Sequence, residues 1–130
     1  MSAHRTIVSA PDAPTPLGPY SQAVQAGGLL FCAGQIPLDP ATGELVGQTA
    51  ADQAAQCMDN LAAVCRAAST SLSRAVRCTI YMTDLSPIAA VNEVYAGFFD
   101  DEPPARVAIA VAALPRGAMV EIEAIVALDH

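Results

Sequence analysis

Few side chains in this 130-residue sequence could carry chemistry. Arg106 begins the run Arg106-Val107-Ala108-Ile109-Ala110, where the other positions of its parity are alanines. A guanidinium among small apolar side chains must find an anion, because an unpaired charge out of water is costly. Its planar fork suits a carboxylate held by two hydrogen bonds. That anion is either a ligand or one of the chain's thirteen acids, in a structural ion pair. Glu121 and Glu123 share one parity on the last apolar segment. Either could orient or deprotonate a water, or simply face solvent, and the pattern does not choose. Tyr20 follows Gly18-Pro19 and could close a pocket with its phenol or pack its loop on the core. Asn92 lies among core positions of a helix, where a half-buried amide needs partners. Gly34-Gln35 could bring backbone close to a ligand or end a strand with a bend. Asp100-Asp101-Glu102 reads as a solvated turn.

The missing residues narrow the chemistry further. There is no Lys; the six basic residues are Arg5, Arg66, Arg74, Arg77, Arg106 and Arg116. That excludes a Schiff-base lysine and a lysine-dependent phosphate loop. The two histidines, His4 and His130, sit at the ends of the sequence, which argues against a Ser-His-acid triad, a Cys-His pair or a His-rich metal site. Cys32, Cys57, Cys65 and Cys78 show no metal-ligand spacing and are expected to be reduced, buried thiols rather than two disulfides. The net charge of −7 repels phosphate backbones, so nucleic acid is a poor partner. No apolar run approaches the ~18 residues of a membrane span, and MSAHRTIVSA has no secretory signature. A soluble, cytoplasmic protein is expected.

The elements that must position these residues follow from the same sequence. Apolar residues make up 53% and charged residues 15%, the balance of a folded core rather than a disordered chain. The length implies one domain, residues 1–130. Pro11 to Pro19 reads as a stiff extended loop. Residues 21–26 and 29–33 flank Gly27-Gly28 as a β-hairpin, and Asp39 to Gly43 turns again. Residues 49–68 repeat apolar positions at a helical period (Ala54, Cys57, Leu61, Val64, Cys65, Ala68), with Thr49 as cap. Residues 74–83 alternate as a strand. Ser86-Pro87 is expected to cap and open a second helix running through Phe99. Residues 106–112 and 119–128 are the last strands, joined by the turn Leu114 to Ala118.

The architecture expected is α+β: about six mostly antiparallel strands, with both helices on one face. The Arg106, Ala108, Ala110 side is expected to be the uncovered face, apolar enough to pack on copies of the same chain. If the last two strands form a hairpin, Arg106 lies opposite about Ile125, and Glu121 is roughly 14 Å away at ~3.4 Å per residue. A site using both is then expected to draw on two chains.

Several stretches together resemble the Rid (YjgF) family of reactive-imine deaminases. They are GPYSQAV from Gly18, AGQIPLDPATGEL from Ala33, NLAAV from Asn60, VNEVYAGFF from Val91, PAR from Pro104 and LPRGAMVEIEAI from Leu114. The resemblance spans nearly the whole chain in the family's order. It implies a chorismate-mutase-like subunit, a homotrimer with clefts between subunits, and no cofactor or metal. The implied reaction is hydrolysis of 2-imino acids and their enamines, such as 2-iminopropanoate and 2-iminobutanoate, to 2-oxo acids and ammonia, a form of metabolite damage control. The family's carboxylate-binding arginine falls on Arg106 and its water-holding glutamate on Glu121. Its pocket tyrosine falls on Tyr20, its asparagine on Asn92 and its first pocket strand on Ala33-Gly34. The family's frequent cysteine is here Ala108, at a substrate-binding position, and its frequent serine is Ala33. The departures leave a second reading, a small-carboxylate-binding or protein-contact module without turnover. A third, RNA cleavage, is disfavoured by the acidic balance and the absent Lys.

Overall fold

The computed structural model describes residues 4–128; His130 lies outside them. Six strands form one open sheet: β1 (Thr6–Val8), β2 (Ala23–Ala26), β3 (Leu29–Gln35), β4 (Ala75–Met82), β5 (Ala105–Ala110) and β6 (Val120–Ala127), in the order β1-β2-β3-β6-β4-β5. Every pair is antiparallel except β4 with β5. Two helices, α1 (Ala50–Ala67) and α2 (Ile88–Ala96), share one hydrophobic core with the sheet. The expected α+β layer is the observed one. The hairpin between β2 and β3 turns on Gly27 and Gly28, with φ of 59° and 78°, angles a two-residue primed turn needs.

Helix α1 forms for the reasons its sequence suggests. Thr49 is extended and its hydroxyl accepts from the Asp52 amide at 3.1 Å, satisfying one free N–H of the first turn. Ala54, Cys57, Leu61, Val64 and Cys65 are fully buried against Ile80, Ile122 and Val126 of the sheet. All four cysteines are free and buried.

Three expectations need correction. Helix α2 begins at Ile88 with Pro87 as its cap, and ends at Ala96. Ser86 does not cap it, because the Asp84 carboxylate takes the Ser86 amide at 2.9 Å in a turn of its own. Secondly, β5 and β6 do not form a hairpin. Helix α2 bridges β4 to β5, and a helical crossover returns the chain parallel to the strand it left. Strand β6 then enters between β3 and β4, where its fully buried Val120, Ile122 and Val126 meet helix side chains.

Thirdly, the faces of β5 are reversed. Arg106, Ala108 and Ala110 stand in register with buried Cys78, Ile80 and Met82, so they lie on the helix side. Val107 and Ile109, 36% and 40% exposed, lie on the open face, with Phe31. Alanine parity misled because small residues on this edge strand admit α2 rather than a second protein layer. The open face still exposes apolar side chains, Ile7, Phe31, Val107 and Ile109, but Arg77, Tyr81, Glu121 and Glu123 share it.

Candidate active site

The expected site residues fall into two groups. Tyr20, Ala33, Gly34 and Glu121 line one open cavity of about 520 Å³, with Leu17, Ile36 and Pro115. Strand β3 slips register against β6 between Cys32 and Gln35, which takes Ala33 and Gly34 out of the ladder. The Glu121 side chain fills the space left there: a Cβ on Gly34 would collide with its carboxylate. Glycine at this position leaves the room that the Glu121 carboxylate occupies.

Glu121 and Glu123, equivalent by parity, differ in their surroundings. Tyr81 Oη donates to Glu123 Oε2 at 2.8 Å, which engages that carboxylate. Glu121 borders the cavity instead. Burial first, and the charge of Glu123 second, hold its carboxyl above the ordinary value of 4.5. A half-buried carboxylate with a raised pKa is a better proton acceptor than one in water.

The loop carrying Tyr20 is held by Gln22, a residue the sequence did not single out. Its Oε1 accepts from the Ala10 amide at 2.6 Å, and its Nε2 donates to the carbonyls of Ala10 (3.0 Å) and Pro14 (2.8 Å). Tyr20 itself is half exposed, its hydroxyl accepting from the Leu17 amide at 3.2 Å. Two further buried amides act similarly. Gln53 Oε1 accepts from the Met119 amide at 2.7 Å, and Asn60 Nδ2 donates to the Leu38 carbonyl at 3.0 Å. Gln22 and Asn60 fall within the stretches GPYSQAV and NLAAV, and Gln53 is signalled only as a polar residue interrupting the buried stripe of α1.

Arg106 and Asn92 form the second group, beside a cavity of about 410 Å³ that Tyr95, Phe99 and Pro104 also line. Arg106 Nη1 donates to Asn92 Oδ1 at 2.6 Å, and its Cζ sits 5.2 Å from the centre of the Tyr95 ring. Asn92 is exposed rather than half-buried in the core, and its amide oxygen faces the guanidinium. The structural ion pair weighed for Arg106 is not formed: no carboxylate among the described residues pairs with it. Ala108 is half-buried against the core and lines neither cavity.

The two groups stand on opposite sides of the sheet. Arg106, Cys78 and Ala124 share one row across β5, β4 and β6, on the helix side. Glu121 is three residues from Ala124, an odd step, and faces the other way. Within one chain Arg106 and Glu121 cannot meet, for a stronger reason than the distance expected from a hairpin. No cluster of three or more His, Cys, Asp or Glu suited to a metal occurs among the described residues. No described helix is long and apolar enough to cross a membrane.

Comparison with known proteins defines the class. The family profile described as Endoribonuclease L-PSP matches residues 10–128. The RutC family protein y4sK of Sinorhizobium fredii is 53% identical over 121 residues, 93% of this chain and 96% of that protein. The 2-iminobutanoate/2-iminopropanoate deaminase of Mus musculus is 42% identical over 121 residues, 93% of this chain and 90% of that one. Among solved structures, E. coli TdcF with bound serine matches with a TM-score of 0.90 at 38% identity, covering 95% of this chain and 99% of the other. The chain belongs to this L-PSP family, the Rid (YjgF) family of its sequence motifs.

Proposed function

We propose that this protein hydrolyses 2-imino acids, such as 2-iminopropanoate and 2-iminobutanoate, to 2-oxo acids and ammonia. The active site joins the Glu121 group of one subunit to the Arg106 group of its neighbour, in a homotrimer. The observation that carries the reading is the state of Arg106, which is oriented by neutral partners and left without an acid. A guanidinium kept in this way is suited to a ligand carboxylate. The mouse relative's name supplies the reaction, and the serine in E. coli TdcF is a small amino-acid carboxylate of the required size.

The chemistry needs no nucleophilic side chain. An iminium carbon is already electrophilic. Arg106 grips the carboxylate, and backbone groups at the Ala33-Gly34 bulge face the imine nitrogen. Ionised Glu121 accepts a proton from the water as its oxygen bonds to C2. The proton held by Glu121 passes to the carbinolamine nitrogen; the C–N bond then breaks as the hydroxyl gives its proton back to Glu121, releasing the 2-oxo acid and ammonia, which takes up that proton as it leaves. Orientation within a partly dry cleft supplies most of the acceleration. Tyr20 covers the cleft.

The alternative, a carboxylate-binding module without turnover, is favoured by one observation: the family's frequent thiol is absent at Ala108. One experiment decides between them and tests the shared site. Arg106→Ala and Glu121→Ala subunits are purified separately, unfolded together and refolded as a mixture, with an amino-acid oxidase supplying the imine. Each variant alone leaves imine decay at its background rate. In random one-to-one assemblies about a quarter of the seams pair an intact Glu121 with an intact Arg106, so about a quarter of wild-type activity returns. A wild-type protein that leaves imine decay unchanged refutes turnover. No recovery on mixing refutes the shared site.

A further inference from the structure

The support beneath Arg106 is unusual for a cation. Side chains that orient an arginine are commonly acids, which also cancel its charge. Here the work is divided between an amide oxygen and an aromatic face. Asn92 and Tyr95 lie three residues apart on α2, one turn of the same side. Asn92 Oδ1 fixes one edge of the guanidinium at 2.6 Å, and the Tyr95 ring lies 5.2 Å from its centre. The ring is itself held. Tyr95 is 6% exposed and packs on Phe99 with centroids 4.9 Å apart at 52°. Its hydroxyl is buried with no hydrogen-bond partner by geometry, although the Cys78 thiol lies beside it. An atom sealed from solvent in this way cannot reach a ligand, so any contribution to the cleft comes through the ring.

We propose that Tyr95 is a positioning residue. The negative face of its ring holds the Arg106 guanidinium in place without neutralising it, so that the full charge remains for a substrate carboxylate. This rests on the reading of Arg106 above. It adds a residue that touches no reacting atom and whose place in the sequence reads simply as core.

The test replaces Tyr95 with a series of rings of nearly constant size: Tyr95→Phe, then 3,5-difluorophenylalanine, then pentafluorophenylalanine incorporated at position 95 of the full chain. Fluorine withdraws and finally reverses the charge of the ring face while leaving packing nearly unchanged. The readouts are the dissociation constant of pyruvate, a stable 2-oxo acid, together with kcat and KM for imine hydrolysis and the thermal midpoint. Tyr95→Phe is expected to bind pyruvate as wild type does. Pentafluorophenylalanine is expected to weaken pyruvate binding and raise KM by about two- to fivefold, the range for a cation near a ring at an exposed site. The difluoro ring falls between, kcat changes less than KM, and the thermal midpoint does not follow the series. Equal affinity across the series, with Arg106→Ala still losing pyruvate, overturns the role of Tyr95 and leaves Arg106 in place. Undiminished pyruvate binding by Arg106→Ala overturns the reading of Arg106 itself. A loss already complete in Tyr95→Phe assigns the effect to the hydroxyl and overturns the proposal for the ring face.

Discussion

Replacing Gly34 with alanine perturbs one atom group and leaves the rest of the fold alone. A Cβ added there stands 3.0 Å from Glu121 Cδ and 3.2 Å from Cγ, and closer still to the carboxylate oxygen. Carbon atoms rest at about 3.5–4.0 Å, and the carboxylate oxygen lies well inside contact distance, so the Glu121 head must move by roughly 1 Å or more. The obstacle is the end of a flexible side chain bordering an open cavity, so the move costs little stability. Alanine in place of glycine in a strand favours the folded state by about 0.5–1 kcal/mol, so the thermal midpoint is expected to hold or rise slightly. Catalysis responds differently, because a reacting group displaced by about 1 Å can lose on the order of 10²-fold. We expect kcat for imine hydrolysis to fall by about 10- to 100-fold, with KM little changed, since in the proposed cleft Arg106 comes from the neighbouring chain. Steady-state rates with an oxidase-generated imine, alongside thermal unfolding, measure both effects. Full kcat in Gly34→Ala, or a loss of activity that tracks a loss of folding, refutes the argument that Gly34 exists to seat the Glu121 carboxylate.

The raised carboxyl of Glu121 sets a pH dependence. Catalysis needs it ionised, so the acid limb of kcat/KM lies above 4.5; Glu123→Gln removes one cause of the shift and moves that limb to lower pH. The same shift opposes folding, because a carboxyl whose folded pKa is raised binds more protons folded than unfolded, and stability falls as pH rises above its ordinary value. Glu121→Gln is therefore expected to raise the thermal midpoint at pH 7 and to leave it unchanged below about pH 4; a lower midpoint at pH 7 contradicts the burial argument. Asn92→Asp keeps the shape of the Arg106 contact and adds a charge that cancels the guanidinium. KM is expected to rise on the order of tenfold or more, the scale of a charge-assisted hydrogen bond, and pyruvate titration showing wild-type affinity would count against an arginine kept free for substrate.

Much of this was legible in the sequence, and the failures share a cause. Helix α1, the Gly27-Gly28 hairpin and the alternation of β4 and β6 depend on neighbours in sequence, and each lies within a residue or two of its expected place. The side of β5 depends on which strand it pairs with, and parity alone cannot supply that. Alternation tells which residues share a face, while the α2 crossover decides which face meets the helices. So Arg106 and Glu121 stand out as the charged groups of interest and Glu121 lies on its expected face, whereas Arg106 lies on the opposite face from the one its parity suggests. Glu121 and Glu123 were inseparable by pattern because the distinction lies in Tyr81, a neighbour only across the sheet.

The opposed faces constrain how any shared site can be assembled. A two-fold contact presents the same patch of both chains to each other. A patch on the open face of the sheet carries Glu121 but not the Arg106 edge above the helix side. Two such patches therefore bring together two Glu121 groups and no arginine. Joining unlike groups needs a heterologous contact, in which the Glu121 side of each chain meets the α2 and β5 edge of the next. Contacts of that kind either close into a ring or run on as a filament. In a closed ring every chain gives one group and receives the other, so the number of complete clefts equals the number of chains. Phe31, Val107 and Ile109, exposed on the open face on either side of Arg77, Tyr81 and Glu123, lie on the surface such a ring would cover. A ring of three satisfies this requirement with every Arg106 and every Glu121 in use.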